Sequence, residues 1–140
     1  MNTVKRSIYI TEFDHDRLSR LVMVANEYTY KAPEYINDLK KELDRASVVD
    51  PEAIPGNIVT MNSRVRMTDI DNDEEMVYTL VFPEDADAEE GKISIISPIG
   101  TAILGYAEGD TVQWPVPSGI SHIRIEEIIF QPENSGNYNI

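Results

Sequence analysis

At 140 residues with 41% hydrophobic residues, the chain is long enough to form one or two small domains whose core needs no covalent cross-link. It contains no cysteine, which excludes disulfides, zinc–thiolate sites and thiol nucleophiles, and its polar start and lack of a long apolar run lead us to expect a soluble cytoplasmic protein. The net charge of −13 falls entirely on residues 49–140, because residues 1–48 hold eight acidic and eight basic side chains. The acidity of residues 49–140 argues against their direct binding to duplex DNA or an anionic membrane.

Residues 1–49 are predicted to form a short antiparallel α-helical hairpin after a β-prone segment. Thr11 is the expected N-cap of the first helix, with Asp14 at the third helical position, as in a capping box. Pro33 is placed to open the second helix. Apolar residues recur at helical spacing in both helices: Leu18, Leu21, Val22 and Ala25 in the first, and Ile36, Leu39, Leu43 and Ala46 in the second. Because each helix is too short to be stable alone, we expect the two stripes to pack on each other as a coiled coil.

Residues 50–56 contain two prolines and one glycine and are predicted to be a linker. The remainder, residues 57–140, is predicted to be a domain of about five antiparallel strands and one short helix, so that the whole chain is α+β. Residues 57–68 alternate as one long strand, and residues 120–130 as another. The polar tail from Gln131 to Ile140 is expected to be ordered only in part.

The stretch from Lys92 to Trp114 predicts a strand, a short helix and a second strand. Ser97 is placed to cap the helix, and Pro98 occupies its first position, where a missing N–H costs nothing. Gly105 is placed to end it in the left-handed conformation. The predicted apolar face of the helix comprises Ile99, Ala102, Ile103 and Leu104.

This stretch carries a resemblance to a known family. The run Ser-Pro-Ile-Gly-x-Ala-x-Leu-Gly at 97–105, followed by Glu-Gly-Asp at 108–110, resembles the signature of the C-terminal domain of the Gre transcription-cleavage factors. Two further blocks, at 42–46 and 59–65, resemble a shorter subfamily, the regulators of nucleoside diphosphate kinase. The resemblance implies an FKBP-like fold for residues 57–140.

The resemblance also implies a partner and a docking loop. Gre factors bind RNA polymerase at its secondary channel, and the positions implied in docking correspond here to Ser97, Pro98 and Ile99. Gre factors carry a longer coiled coil whose acidic tip helps to hold a catalytic Mg²⁺. The tip predicted here, from Glu27 to Glu34, contains acids but not that closely spaced pair.

The resulting hypothesis is a non-enzymatic regulator that binds core RNA polymerase near the secondary channel. It would compete with Gre-type factors without stimulating transcript cleavage and would affect nucleoside diphosphate kinase indirectly. No catalytic, cofactor-binding or metal-binding residue is predicted, and nucleic acid would be met only through the polymerase.

Two alternatives stay open: direct binding to nucleoside diphosphate kinase, and peptidyl-prolyl isomerase activity. The second needs an aromatic pocket, for which the candidates are Tyr78, Phe82, Tyr106, Trp114 and Phe130, although core packing explains most of them equally well. The acidic surface of the C-terminal half either keeps the domain soluble or docks on a basic partner.

Two patterns suggest a metal site but do not complete one. Asp69-x-Asp71-x-Asp73 resembles the start of a calcium loop, yet Glu74 and Leu80 stand where an EF-hand needs glycine and glutamate, so we expect a solvated hairpin loop. The two histidines, His15 and His122, lie in different halves without ligand spacing around them.

Overall fold

The structure, a computed structural model, describes residues 8–28, 33–116 and 119–136 and shows a mixed α+β fold. The helices and strands are, in chain order, β1 (Tyr9–Thr11), α1 (Glu12–Tyr28), α2 (Pro33–Arg45), β2 (Ser47–Val49), β3 (Arg64–Asp69), β4 (Glu74–Val81), β5 (Lys92–Ser94), α3 (Pro98–Ile103), β6 (Thr111–Val116) and β7 (Gly119–Phe130). Both predicted helices of the N-terminal half and the short helix of the C-terminal half are therefore present.

The N-terminal half pairs two helices and two short strands. The Oγ1 of Thr11 accepts a hydrogen bond from the N–H of Asp14 at 3.0 Å, which confirms the predicted cap of α1. The contact between α1 and α2 buries residues of both predicted stripes: Leu18, Val22, Leu39 and Leu43. Strands β1 and β2 then pair in parallel, with Tyr9 opposite Ser47. The coiled-coil geometry of the hairpin stays a prediction.

The C-terminal half contains a five-stranded sheet in the order β5-β4-β3-β7-β6. Four strands pair with antiparallel neighbours, as predicted, but β4 and β5 pair in parallel, with Thr79 opposite Lys92. The chain between them makes two short 3₁₀ turns, Pro83–Asp85 and Ala88–Glu90, and turns back so that β5 runs beside the last three residues of β4 in the same direction. The prediction of an entirely antiparallel sheet is thus wrong for this pair.

The predicted long strand at 57–68 is also wrong in its first half, because β3 begins only at Arg64. Residues 60–63 form a turn in which the N–H of Ser63 donates to the carbonyl of Thr60 at 3.1 Å, and Asn62 has a φ of +66°. Asparagine is among the few residues that tolerate this left-handed conformation. The turn breaks the alternation, so that Thr60 and Met61 are both buried.

One hydrophobic cluster joins the two halves. It runs from Leu18 and Leu39 of the hairpin to Val65, Ile103 and Ile125 of the sheet domain. The predicted linker contributes a single 3₁₀ turn, Pro51–Ala53, followed by the buried side chain of Ile54. The hairpin therefore packs on the sheet domain, while the division at residues 50–56 into two units stays a prediction.

The predicted polar tail begins with buried residues. Gln131 is 4% exposed and Glu133 is 8% exposed, and the Nε2 of Gln131 donates to the carbonyls of Pro55 and Ile58 at 2.8 Å each. These backbone acceptors lie more than 70 residues away along the chain, so local polarity does not reveal that the start of the tail is buried.

Candidate functional site: a capped loop and a buried junction

Side-chain hydrogen bonds of Ser94, Ser97 and Thr101 hold the candidate docking loop, residues 94–101. The Oγ of Ser94 accepts from the N–H of Ile96 at 3.2 Å. The hydroxyl of Ser97 donates to the carbonyl of Ser94 at 2.7 Å and accepts from the N–H of Gly100 at 3.1 Å. The second bond is the predicted N-cap of α3, and Pro98 takes the first helical position. Thr101 closes the loop from the helix side, since its hydroxyl donates to the carbonyl of Ile95 at 2.7 Å.

Two glycines permit the close approaches around this loop. A Cβ on Gly100 would lie 2.3 Å from the carbonyl oxygen of Ser94, so only glycine lets α3 pack so near the end of β5. Gly105 has a φ of +83°, as predicted for the end of α3, and its carbonyl accepts from the N–H of Tyr9 at 3.3 Å. The end of α3 therefore lies directly against the first strand of the N-terminal half.

The three predicted docking residues differ in exposure. Ser97 and Pro98 are half-buried and reach the surface, whereas Ile99 is 8% exposed and belongs to the hydrophobic core. Ile96, immediately before the loop's serine, is half-buried. The outer surface of the loop is thus formed by Ile96, Ser97 and Pro98, and Ile99 anchors the loop from beneath.

The two acidic residues predicted at the hairpin tip belong to the helices: Glu27 is in α1 and Glu34 is in α2. Their side chains, and residues 29–32 between the helices, lie outside the described residues. The prediction about the tip therefore stays a prediction.

A buried polar junction connects the hairpin to the sheet domain. Asp14 is 1% exposed; one carboxylate oxygen accepts from the backbone N–H of Met61 at 3.1 Å, and the other accepts from Arg17 at 2.7 Å. The guanidinium of Arg17 lies 4.0 Å from the ring centroid of Phe13 and 4.6 Å from that of Phe82. Burial raises the pKa of Asp14 above its ordinary value, and Arg17 and the Met61 N–H oppose this shift.

A second carboxylate reaches the same turn from the other side. The Thr60 hydroxyl donates to the Oε1 of Glu133 at 2.7 Å and lies 2.8 Å from the hydroxyl of Ser63. Burial raises the pKa of Glu133, which the hydrogen bond from Thr60 partly offsets. The turn at 60–63 is thus held by a carboxylate from α1 and another from the segment after β7.

Sequence reasoning did not find this junction. The alternation at 57–68 predicts one long strand, and the polar composition from Gln131 onward predicts a tail that is ordered only in part. The signal that could have found it is the pair Asn62-Ser63 in the middle of an apolar run, because asparagine and serine favour turns over strands.

The other titratable candidates form surface pairs. Asp71 lies in the turn between β3 and β4, and its Oδ2 lies 3.1 Å from the Nδ1 of His122; hydrogen bonding to His122 lowers the pKa of Asp71. The Nε2 of His15 lies 3.2 Å from the carbonyl of Leu43. Within residues 8–28, 33–116 and 119–136, no histidine and acidic side chains are grouped so that they could hold a metal ion.

The aromatic candidates face different elements. Tyr106 accepts a hydrogen bond from Arg45 of α2 at 2.9 Å, Phe82 lies against Arg17 of α1, and Phe130 is 38% exposed at the end of β7. The side chain of Trp114 lies outside the described residues. No helix in the described ranges is both long and apolar enough to span a membrane.

Comparison with known proteins matches both halves of the chain. The family model for the C-terminal domain of the transcription elongation factors GreA/GreB matches residues 54–130, and that for the Rnk N-terminus matches residues 6–49. The chain is 35% identical over 133 residues to the regulator of nucleoside diphosphate kinase of Escherichia coli (strain K12). This match covers 94% of this chain and 96% of that protein.

Relatives of the elongation-factor type match as well. The transcription elongation factor GreA of Prosthecochloris aestuarii is 42% identical over 106 residues, or 74% of this chain and 66% of that protein. Among solved structures, a prokaryotic transcription elongation factor GreA/GreB from Nitrosomonas europaea superposes with a TM-score of 0.72 at 44% identity, covering 90% of this chain and all of that one.

Proposed function

The chain belongs to the GreA/GreB family of transcription elongation factors, and we propose that it is a non-enzymatic regulator that binds core RNA polymerase near the secondary channel. The observation that carries this proposal is the docking loop: Ser97 and Pro98 reach the surface on a loop fixed by four hydrogen bonds and packed on the core. A loop that is rigid before binding loses little conformational entropy when it docks.

We place the contact on Ile96, Ser97 and Pro98. Ile99, which the family resemblance included in the contact, supports the loop from within the core. The sheet domain at residues 57–140, for which we retain the FKBP-like fold, would present the loop, and the hairpin at 1–49 would extend from it as a short coiled coil. Binding to the polymerase would confine the protein's action to the cytoplasm.

The hairpin is too short for the cleavage role of the longer Gre coiled coils. Helix α1 has 17 residues and α2 has 13, which correspond to lengths of about 25 Å and 20 Å at 1.5 Å per residue. We therefore infer that the protein occupies the polymerase without stimulating transcript cleavage and competes there with Gre-type factors. Any change in nucleoside diphosphate kinase would follow indirectly from transcription.

A competition experiment tests docking. A labelled Gre factor is bound to core RNA polymerase, and this protein is titrated in; we expect displacement. Pro98→Glu should weaken displacement, while its fold is retained because an acidic residue is favourable in the first turn of a helix. Gln113→Glu, which adds the same charge at an exposed position of β6, is the matched control and should displace like the wild type. Equal behaviour of the two variants would contradict the loop assignment.

Cleavage is tested separately on stalled elongation complexes. A Gre factor shortens the transcript in such a complex, and this protein should leave its length unchanged while blocking the Gre factor. Transcript shortening by this protein alone would overturn the non-enzymatic part of the proposal.

A second candidate function rests on the name of the Escherichia coli relative, which describes a regulator of nucleoside diphosphate kinase. In this alternative the protein binds the kinase itself. Kinase rates measured with and without the purified protein distinguish the two, because the polymerase proposal expects no change.

A further inference from the structure

A row of four side chains crosses the outer face of the sheet. The register places Arg64 of β3 opposite Phe130 of β7 on one side and Thr79 of β4 on the other, and Thr79 opposite Lys92 of β5. Residues paired across neighbouring strands lie on the same face of a sheet. The row forms the floor of an open cleft of about 610 Å³, which Arg17 and Phe82 also line.

The cleft concentrates positive charge on an acidic protein. Residues 49–140 contain four basic side chains, and two of them, Arg64 and Lys92, lie in this row, with Arg17 of α1 beside them. Asp85 is the acidic residue that lines the cleft. Lys92 pairs with Glu90 at 3.1 Å, but Glu90 is 62% exposed, and a pair so open to water is weak.

Arg64 differs from the other two arginines of the sheet. Arg66 contacts Glu75 at 3.1 Å and Glu127 at 3.3 Å, and Arg124 contacts Glu126 at 2.9 Å. The side chain of Arg64 is exposed, and its guanidinium has no carboxylate or other hydrogen-bond partner in the part of the chain that the structure describes. Its cross-strand neighbour Phe130 is also exposed. An exposed arginine beside an exposed aromatic ring is the kind of residue pair that contributes most of the binding energy in protein interfaces.

The cleft lies next to the docking loop in the sheet. Val81 lines the cleft and pairs with Ser94 across β4 and β5. The carbonyl of Ser94 in turn accepts the hydrogen bond from the Ser97 hydroxyl. A lining residue of the cleft is therefore paired with the first residue of the loop, which brings both surfaces within reach of one partner.

We propose that the Arg64 cleft binds an acidic segment with an apolar side chain on the same protein partner that contacts the Ser97–Pro98 loop. A carboxylate of that segment would pair with the guanidinium of Arg64, in the two-pronged geometry that arginine favours, and the apolar side chain would cover Phe130. This inference rests on the proposed function, which identifies the partner as core RNA polymerase.

The charge distribution favours a protein segment over a nucleic acid strand. A strand of RNA or DNA is held by several cationic side chains that follow its phosphate backbone. A protein with a net charge of −13 repels the phosphates and so binds such a strand more weakly. The cleft instead offers the guanidinium of Arg64, for which the described residues supply no partner, next to an apolar wall, and this suits a single carboxylate beside an apolar side chain.

The test compares Arg64→Glu with Arg66→Glu in binding to core RNA polymerase. Both arginines are on β3 and face outward, and Arg66 lies outside the cleft with its own acidic partners. We expect Arg64→Glu to weaken binding at least about tenfold and Arg66→Glu less than about threefold, as for a central contact and a peripheral one. Phe130→Ala, which leaves all charges unchanged, should weaken binding in the same direction as Arg64→Glu.

The outcomes separate this inference from the proposed function. If Pro98→Glu weakens binding but Arg64→Glu does not, the cleft assignment is overturned and the polymerase proposal stands. Equal losses of affinity for Arg64→Glu and Arg66→Glu would also overturn the cleft assignment, because they would show that binding responds only to the overall charge of the protein. If the wild type does not bind core polymerase, both proposals fail. Binding of a single-stranded RNA oligonucleotide that Arg64→Glu abolishes would replace the protein segment with nucleic acid and overturn the inference.

Discussion

The carboxylate of Asp14 accepts a hydrogen bond from the backbone N–H of Met61, 47 residues further along the chain. Asp14 lies in the first turn of α1, and Met61 lies in the turn that precedes β3. This bond and the shared hydrophobic cluster fix the hairpin on the sheet domain. The orientation of the hairpin therefore depends on a few buried polar atoms as well as on apolar packing.

Removing the Asp14 carboxylate should lower the free energy of unfolding more than removing a surface carboxylate does. Asp14→Ala leaves the N–H of Met61 buried without its acceptor and removes the ion pair between Asp14 and Arg17, for which we expect a loss of about 3 kcal/mol in the free energy of unfolding. Urea denaturation gives this value. The control is Asp16→Ala on the same helix, where the pair with Arg20 is exposed and a change within about 0.5 kcal/mol is expected. Similar losses for both variants would show that the junction adds no stability.

The buried carboxylate of Glu133 should make stability depend on pH. Its pKa is raised above the ordinary value of 4.5, so the folded protein binds this proton more tightly than the unfolded chain does. The contribution of Glu133 is therefore greatest below pH 4.5 and is lost as the pH rises through the raised pKa. The difference in unfolding free energy between wild type and Glu133→Gln should fall across that range, and a difference that is constant from pH 4 to pH 7 would contradict it.

Gly100 should tolerate no side chain. Gly100→Ala places a methyl group against the backbone carbonyl of Ser94, which cannot move as a flexible side chain can, and we expect a loss of about 2 kcal/mol. At Gly56 the added Cβ meets only the side chain of Asn134 at 3.1 Å, so Gly56→Ala should be near neutral. Thermal unfolding of the two variants checks this, and equal melting temperatures would show that the loop can relax.

The Ser97 hydroxyl should contribute more to stability than an ordinary surface hydroxyl, because it both donates and accepts a hydrogen bond within the loop. Ser97→Ala should cost about 1 kcal/mol through loss of the cap. Ser97→Thr keeps the hydroxyl and should restore most of the stability and of the polymerase binding. If threonine performs no better than alanine, the hydroxyl does not hold the loop.

The sequence predicted the elements that depend on neighbouring residues. The cap at Thr11, the cap at Ser97, the glycine that ends α3 and the alternation of β7 all follow from local conformational preference, and the structure contains each of them. Local preference also placed Ile99 on the apolar face of α3, which agrees with its burial better than the docking role that the resemblance implied.

The features that were not predicted depend on distant partners. Nothing near Glu133 in the sequence shows that it meets Thr60, and the parallel pairing of β4 and β5 depends on the path of the intervening turns. The candidate cleft could not be predicted either, because its row of residues comes from four strands spread over residues 64–130.

The pairing of β3 with β7 has a consequence for how the protein is made. Strand β3 is at the middle of the sheet, yet one of its two neighbours is synthesised more than 50 residues later, and the turn before it is completed by Glu133. Contacts so distant in sequence slow folding, because the chain must close a long loop before it gains any stabilisation from them. A nascent chain on the ribosome would therefore expose the apolar side of β3 until about residue 133 had left the exit tunnel, and chaperones could bind it during that interval.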